Sequence, residues 1–379
     1  MNILYISPKI PYPLSDGGKL RVFNHIKQLS KKHNIVSLSF IENKNELKNI
    51  NELKKYCSVE TVLLPKHKSL INSFFGLFSR TPLRVWYFKD SRFRKKAKKL
   101  TNAVDLVIIQ ALRMVQYSFE PEKTILDIVD TPSLQIKRAF KHECLIWKLI
   151  WNLELPRILK YEQILCKKFK TILVASNADK DALRKGIVFK NSTKIDSIKR
   201  KEPFGNNLMF LGNMEYLPNI DAVNYFVKEI FPLIKKEITG SHFYIVGKNS
   251  DKIKKLASKD ITITGFVQDL NEYFSKCQVF VAPLRLGSGI QNKVLEALNY
   301  EIPIVTTSIV NAGVEAKEGK EILVADIAKE FASAVTLLLK DKKLRKELSI
   351  NGKKFLKRNY STKVINKEFD KIIQNALHT

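Results

Sequence analysis

Lys293 and Glu296 stand three residues apart behind the loop Gly287-Ser288-Gly289, so a helix there would carry a cation and a carboxylate on one face. The apolar run VFVAPL precedes the loop. After it, Ile290, Val294, Leu295 and Leu298 recur at helical spacing before the β-rich run IPIVTT. This order predicts strand, glycine loop, helix, strand over 279–307, with the loop at the carboxyl end of a strand, where open parallel sheets bind ligands. Ser288 is expected to cap the helix, with Gln291 completing a capping box. Backbone amides at such a start attract phosphate, and the glycines allow close approach, so a phosphate beside a hydroxylated sugar would fit. An ordinary turn between strand and helix has the same pattern, and a lone G-x-G does not separate the two readings.

A second loop of this kind follows the first predicted strand, ILYIS at 3–7. PKIPYPLSDGG leads from it into a helix expected from Lys19 to Lys32. Gly17 and Gly18 would let a ligand lie against the helix start with Asp16, Lys19 and Arg21 in reach; a plain turn is the competing reading.

Further strand-like runs at 35–40, 60–64, 104–109, 124–128 and 171–175 alternate with helical segments, the mark of a parallel sheet wrapped by helices. The rhythm breaks over the polar, basic stretch before Asn206 and resumes with NLMFLG, HFYIVG, ITITGF, QVFVAPL, IPIVTT and EILVAD. The predicted organisation is an α/β chain of two Rossmann-like domains: 1–185, a hinge at 186–205, and 206–361. A last segment, 362–379, crosses back to the first domain after the break at Asn359-Tyr360-Ser361.

The chain has 379 residues, 45% of them hydrophobic, enough for two cores. Its 66 basic against 37 acidic residues give a formal charge of +29, which implies an anionic partner: a membrane surface, nucleic acid or a phosphorylated substrate. Nucleic acid is disfavoured, because no helix-turn-helix spacing, zinc knuckle or RNP-like motif is present. Two insertions fit a membrane surface better. SLINSFFGLFSRTPLRVWYF runs into RFRKKAKK between Lys66 and Lys99, and a long helical pattern between Ile136 and Lys170 carries Trp147 and Trp151 among lysines. Apolar side chains would enter the headgroup region while each lysine near anionic lipid adds about 1 kcal/mol. The alternative is that the aromatics pack inside and the lysines are solvated. No apolar stretch is long enough to span a bilayer, and MNILYISPKIPYP reads as a strand rather than a signal peptide. The scattered Cys57, Cys144, Cys166 and Cys277 suggest neither a zinc site nor a disulfide framework, in keeping with a reducing cytoplasm.

Three stretches in order, ILYISPKIPYPLSDGGKLRVFNHIKQLSKKHNIVSLSF, FLGNMEYLPNIDAVNYF and VAPLRLGSGIQNKVLEALNYEIPIVTT, resemble a GT-B glycosyltransferase of the family 4 type, in its exopolysaccharide branch. The resemblance spans nearly the whole chain. It implies two Rossmann-like domains facing a central cleft and a retaining, hexosyltransferase-type transfer from a UDP- or GDP-sugar to a glycan or lipid-linked acceptor. It implies no obligatory metal, and an enzyme at the cytoplasmic membrane face. By the same resemblance, the backbone around Gly287, Gly289, Ile290 and Gln291, with Lys293 and Arg285, holds the diphosphate. Glu296 matches the second glutamate of a Glu-x7-Glu pattern and bonds the ribose. Phe266 and Val267 lie beside the base, Gly212 and Asn213 belong to the donor site, and Gly17 and Gly18 face the donor phosphates or the acceptor.

Two departures stand out. Ser288 replaces the first glutamate of the pattern, which contacts the donor sugar, and Asn213 and Asn219 stand where an arginine and a lysine are usual. In LDIVDTPS, Asp127, Asp130 and Ser133 fall near a strand end where a polar acceptor contact is expected; Asp130 is the candidate for orienting the acceptor hydroxyl, with a helix or turn cap as the alternative. A nucleotide-sugar 2-epimerase on the same fold would need carboxylates and a histidine together, and the six histidines form no such cluster. A non-catalytic membrane-bound relative is the remaining alternative. A dinucleotide enzyme is disfavoured by the lack of G-x-G-x-x-G after the first strand.

Overall fold

The computed structural model of the chain describes residues 1–14, 16–140, 145–196, 203, 205–248, 251–287 and 289–377. They fall into two compact units, Met1–Ser192 with Ile365–Thr379, and Thr193–Val364.

The first unit is built on seven parallel strands: β1 (Asn2–Ser7), β2 (Asn34–Ile41), β3 (Ser58–Leu63), β4 (Leu106–Gln110), β5 (Thr124–Val129), β6 (Thr171–Val174) and β7 (Ile187–Val188), in the order β3-β2-β1-β4-β5-β6-β7. In β1, Ile3 and Tyr5 enter one apolar cluster while Leu4 and Ile6 enter another. A strand with side chains alternating between two covered faces must be apolar at every position, and the run ILYI meets that demand. β7 lies within the segment expected to be a hinge, and the division between units falls after Ser192; residues 197–202 and 204 of that segment lie outside the described residues.

The helix Gly17–Leu29 packs on this sheet through Val22, Phe23, Ile26 and Leu29, and also through Arg21. Arg21 is fully buried and grips Asp127 of β5 with two hydrogen bonds, Nε to Oδ2 at 2.7 Å and Nη2 to Oδ1 at 3.0 Å. Its Nη1 donates to the Phe189 carbonyl at 2.8 Å and to Asn191 Oδ1 at 3.0 Å. This corrects two expectations. Arg21 does not reach toward a ligand at Gly17-Gly18, and Asp127 makes no acceptor contact, because each satisfies the other inside the core, where losing one partner would cost about 3–5 kcal/mol. Ser133 is also engaged, its buried N–H donating to Glu162 Oε1 at 3.0 Å.

The second unit holds β8 (Asn206–Leu211), β9 (Ser241–Val246), β10 (Ile261–Gly265), β11 (Val279–Ala282), β12 (Ile304–Thr306) and β13 (Leu323–Val324), all parallel, in the order β10-β9-β8-β11-β12-β13. Each sheet reverses its winding direction once, at β1/β4 in the first unit and at β8/β11 in the second. Such switch points open a crevice at the carboxyl ends of the strands, which is where this architecture takes ligands. The helix Lys342–Tyr360 ends in the second unit, with the Tyr360 hydroxyl donating to the Val314 carbonyl at 2.6 Å. The following helix, Thr362–Leu377, lays Ile365, Phe369, Ile372 and Ile373 against the first unit's core beside Ile3, Tyr5 and Val22.

Candidate functional site

In the second unit the loops after β8 and β11 meet at the switch point. Gly212 directly follows β8, and its N–H donates to the Val246 carbonyl at 3.0 Å. At Gly247, just after β9, where φ is 120°, a Cβ would sit 2.2 Å from the Gly212 carbonyl oxygen, so the β8 and β9 loops touch only because a glycine is there. Gly247 in turn donates to the Gly265 carbonyl at 3.1 Å, which ties in the end of β10. Val267 packs partly on the core, whereas Phe266 beside it is 80% exposed, an aromatic face open to a planar partner.

The loop after β11 is held at its root by Thr307 Oγ1, which donates to the Leu284 carbonyl at 2.6 Å. Gly287 and Gly289 both take left-handed backbone, at φ 121° and 69°, and a Cβ on Gly313 would lie 2.2 Å from the Gly289 carbonyl oxygen. The helix then spans Asn292–Asn299 with Gln291 as its N-cap and no side-chain cap bond. This corrects the expected capping box. Two left-handed residues turn the chain before a helix can begin, so Ile290 and Gln291 precede it; Ser288 lies outside the described residues.

Lys293 consequently sits in the first turn. Its Nζ donates to Asn219 Oδ1 at 2.5 Å and lies 4.3 Å from the centre of the Phe210 ring. The other end of the Asn219 amide donates to the Asn213 carbonyl at 2.8 Å, so one side chain joins the β8 loop to the lysine of the β11 loop. Burial pushes the Lys293 ammonium down to about 7, with Glu296 acting against the shift. Burial also pushes the Glu296 carboxyl up to about 7, with Lys293 opposing. Among the described residues the Glu296 carboxylate accepts no hydrogen bond. Arg285 is committed to the protein: it makes two bonds to Asp221, at 2.7 and 3.1 Å, and its guanidinium carbon lies 4.2 Å from the centre of the Tyr225 ring. The site thus offers one desolvated cation, one desolvated carboxylate and glycine backbone at a helix start, a set suited to a phosphate and a hydroxyl side by side.

In the first unit, Gly17 and Gly18 open the helix Gly17–Leu29, whose N-cap Asp16 accepts from the Lys19 N–H at 2.9 Å. The Gly18 carbonyl accepts from Gln110 Nε2 at 3.0 Å, which joins this loop to the end of β4. Asp130 follows Val129, a β-branched residue at φ 67°, a backbone state such residues rarely hold. Its carboxyl is pushed up to about 7, first by burial, then by the Asp179 and Asp127 carboxylates, with Arg21 opposing. Gln135 Nε2 donates to it at 3.3 Å. The cap alternative for Asp130 fails, since Thr131 is the N-cap of the helix Pro132–Ala139 and donates its N–H to Asp179 instead. Among the described residues no three histidine, cysteine, aspartate or glutamate side chains group to hold a metal ion.

The two insertions form an exposed apolar surface. Along and just beyond the helix Lys66–Gly76, Leu70, Ile71, Phe74, Phe75 and Phe78 face solvent, Phe78 being 83% exposed. Leu145, Ile146, Trp147 and Leu149 do the same at the start of the helix Leu145–Lys168. Arg157 of that helix donates to the Leu77 carbonyl at 2.8 Å, so the two elements adjoin. These aromatics are therefore not core residues. Part of the neighbouring basic run is neutralised, with Arg92 on Asp90 and Lys96 on Glu60. Among the described residues no helix is long and apolar enough to cross a membrane.

Residues 205–341 match the family model "Glycosyl transferases group 1". The chain is 22% identical over 385 residues to an "Uncharacterized 44.6 kDa protein in cps region" of Klebsiella pneumoniae, covering 96% of this chain and 97% of that one. Over 130 residues it is 24% identical to the capsular polysaccharide biosynthesis glycosyltransferase CapM of Staphylococcus aureus, covering 34% of each. Among solved structures, HepE of Anabaena in complex with UDP superposes with a TM-score of 0.72 at 12% identity, over 99% of this chain and all of that one. The same protein in complex with UDP-glucose gives a TM-score of 0.69 at the same identity, coverage and extent. The superpositions show that the chain has the GT-B fold, and residues 205–341 of its second unit, the stretch that carries Lys293 and Glu296, match the group 1 glycosyl transferase model.

Proposed function

We propose that the protein is a retaining glycosyltransferase that moves a sugar from a UDP- or GDP-sugar to a glycan or lipid-linked acceptor in building a surface polysaccharide or glycolipid. The observation that carries this reading is Lys293, a desolvated lysine set by Asn219 in the first turn of the helix behind the two left-handed glycines. A lysine buried this far gains most from a group that restores its charge, and a diphosphate does so. HepE, on the same fold, is known in complex with UDP and with UDP-glucose.

In this scheme Lys293 and the loop backbone from Gly287 to Gln291 hold the diphosphate, Glu296 accepts from a ribose hydroxyl and Phe266 lies against the base. Negative charge grows on the diphosphate as the glycosidic bond breaks, and a fixed cation stabilises it without reorganisation. Asp130 orients the acceptor hydroxyl; its raised pKa suits a group that exchanges a proton near neutrality. The acceptor attacks from the leaving-group face, so no covalent nucleophile is assigned. Thermal-shift titration with UDP- and GDP-sugars tests the donor site: a saturating shift is expected in the parent protein and a much weaker one in Lys293→Ala. No shift with any nucleotide sugar would overturn the reading.

The enzyme works at the inner face of the cell membrane, with the surface around Phe74, Phe75, Phe78 and Trp147 entering the headgroup layer and the lysine excess meeting anionic lipid. Sedimentation with phosphatidylglycerol vesicles should pull the protein down, and replacing Phe74, Phe75 and Phe78 by serine should release it. Unchanged sedimentation of that variant would remove this surface from the account.

A further inference from the structure

The first unit's switch point carries two arginines that the donor chemistry leaves unused. Arg84 belongs to the short helix Leu83–Trp86, and Arg113 to the 3-10 helix Leu112–Tyr117 that follows β4. Gln116 joins the two elements, its Nε2 donating to the Val85 carbonyl at 2.8 Å and to the Arg113 carbonyl at 3.3 Å. Both residues are partly buried and their guanidinium groups desolvated, yet among the described residues neither guanidinium donates a hydrogen bond or closes an ion pair. Arg113 Nε is wholly shut off from solvent without an acceptor, and the group rests 5.4 Å from the centre of the Phe88 ring.

The carboxylates nearby are occupied elsewhere. Glu154 acts on Arg84 through space but accepts from the Leu83 N–H at 2.8 Å and from Arg157. Glu162, which also acts on Arg84, accepts from the Ser133 N–H. Asp16 faces Arg113, and it caps Lys19. Burial, with the neighbouring Arg84 charge as second cause, holds Arg113 down at about 10, still charged at neutral pH. Two like charges with unused donors cost the empty protein stability, and a doubly charged oxyanion between them would satisfy both.

We propose that Arg84 and Arg113 bind a phosphoryl group, and that this group belongs to the acceptor. This rests on the transferase reading, in which the first unit takes the acceptor. A phosphate at the carboxyl ends of β1 and β4 would anchor the acceptor beside Gly17-Gly18, on the same sheet edge as Asp130. The acceptor class it selects is a sugar or lipid carrying a phosphate or diphosphate.

The test uses the full chain and two probes, n-hexyl phosphate and inorganic phosphate, titrated by calorimetry. Hexyl phosphate should bind the parent protein and Lys293→Ala alike, and bind Arg84→Gln/Arg113→Gln at least tenfold more weakly. Arg84→Lys/Arg113→Lys should recover part of the affinity, and a retained UDP shift in each arginine variant reports an intact fold. Undiminished binding to the double glutamine variant, or none to the parent, would overturn the site. Tighter binding of inorganic phosphate than of hexyl phosphate would overturn its assignment to the acceptor. A failed donor reading looks different: UDP binding that is absent or indifferent to Lys293, with the hexyl phosphate result standing.

Discussion

The two units solve the same problem with opposite electrostatics. Each places its candidate site at a single switch point of a parallel sheet, and each has glycines there, opening the helix in the first unit and preceding it in the second. In the second unit the charges are matched: Lys293 faces Glu296, each pulled toward neutrality by burial, with Asn219 fixing the lysine. In the first the groups left without an ion pair are segregated, Arg84 with Arg113 in one place and Asp130 in another, beside Asp179 and the Arg21–Asp127 pair. A desolvated pair of opposite charges responds to a ligand by changing protonation. A segregated arrangement holds its charges in reserve and can grip an anion at one point while keeping a carboxyl near its titration midpoint at another.

The comparison is broken most directly by Asp130→Asn. The substitution keeps the shape and removes the titrating group, so kcat should fall by about a hundredfold or more while UDP affinity stays constant. A kcat near that of the parent would make Asp130 a structural residue. Lys293→Ala should do the reverse on the donor side, lowering UDP affinity by about 30-fold, the equivalent of about 2 kcal/mol for a charge-assisted contact. Loss of acceptor-phosphate binding in that variant would show that the two sites are not separate.

The matched pair also predicts a pH effect. Lys293 in the free protein loses its proton as pH rises through about 7. Because a bound diphosphate favours the protonated form, UDP affinity should weaken above pH 7, approaching about tenfold per unit, until the pKa of the complex is passed. Calorimetry across pH 6 to 9 measures the slope, and Lys293→Ala should flatten it. The smallest effect is expected at Phe266, where alanine removes a stacking face and should weaken UDP about five- to tenfold, near the lower end of base stacking on aromatics.

Much of this was legible from local pattern. The runs ILYIS, NLMFLG and VFVAPL are strands because a sheet covered on both faces needs unbroken apolar sequence, and the glycine loop and Lys293-Glu296 pair stood out by spacing alone. The helix start did not, because left-handed backbone at Gly287 and Gly289 delays it past Ile290 and Gln291. Arg21 and Asp127 looked available for chemistry because nothing local shows that residues 106 apart neutralise each other. Arg84 and Arg113 drew no notice, although each is a lone charge inside an apolar run, TPLRVWYF and ALRMV, which is the signal that would have found them.

The sequence by itself determined the fold class, the strand-loop-helix unit and the types of group it offers, since these depend on period, glycine placement and short spacing. Only the tertiary structure decided which charges are spent and which remain open. Arg21, Asp127 and Arg285 are bound within the protein, whereas Lys293, Glu296, Asp130, Arg84 and Arg113 sit desolvated, because burial and partnering depend on contacts between residues far apart in the chain.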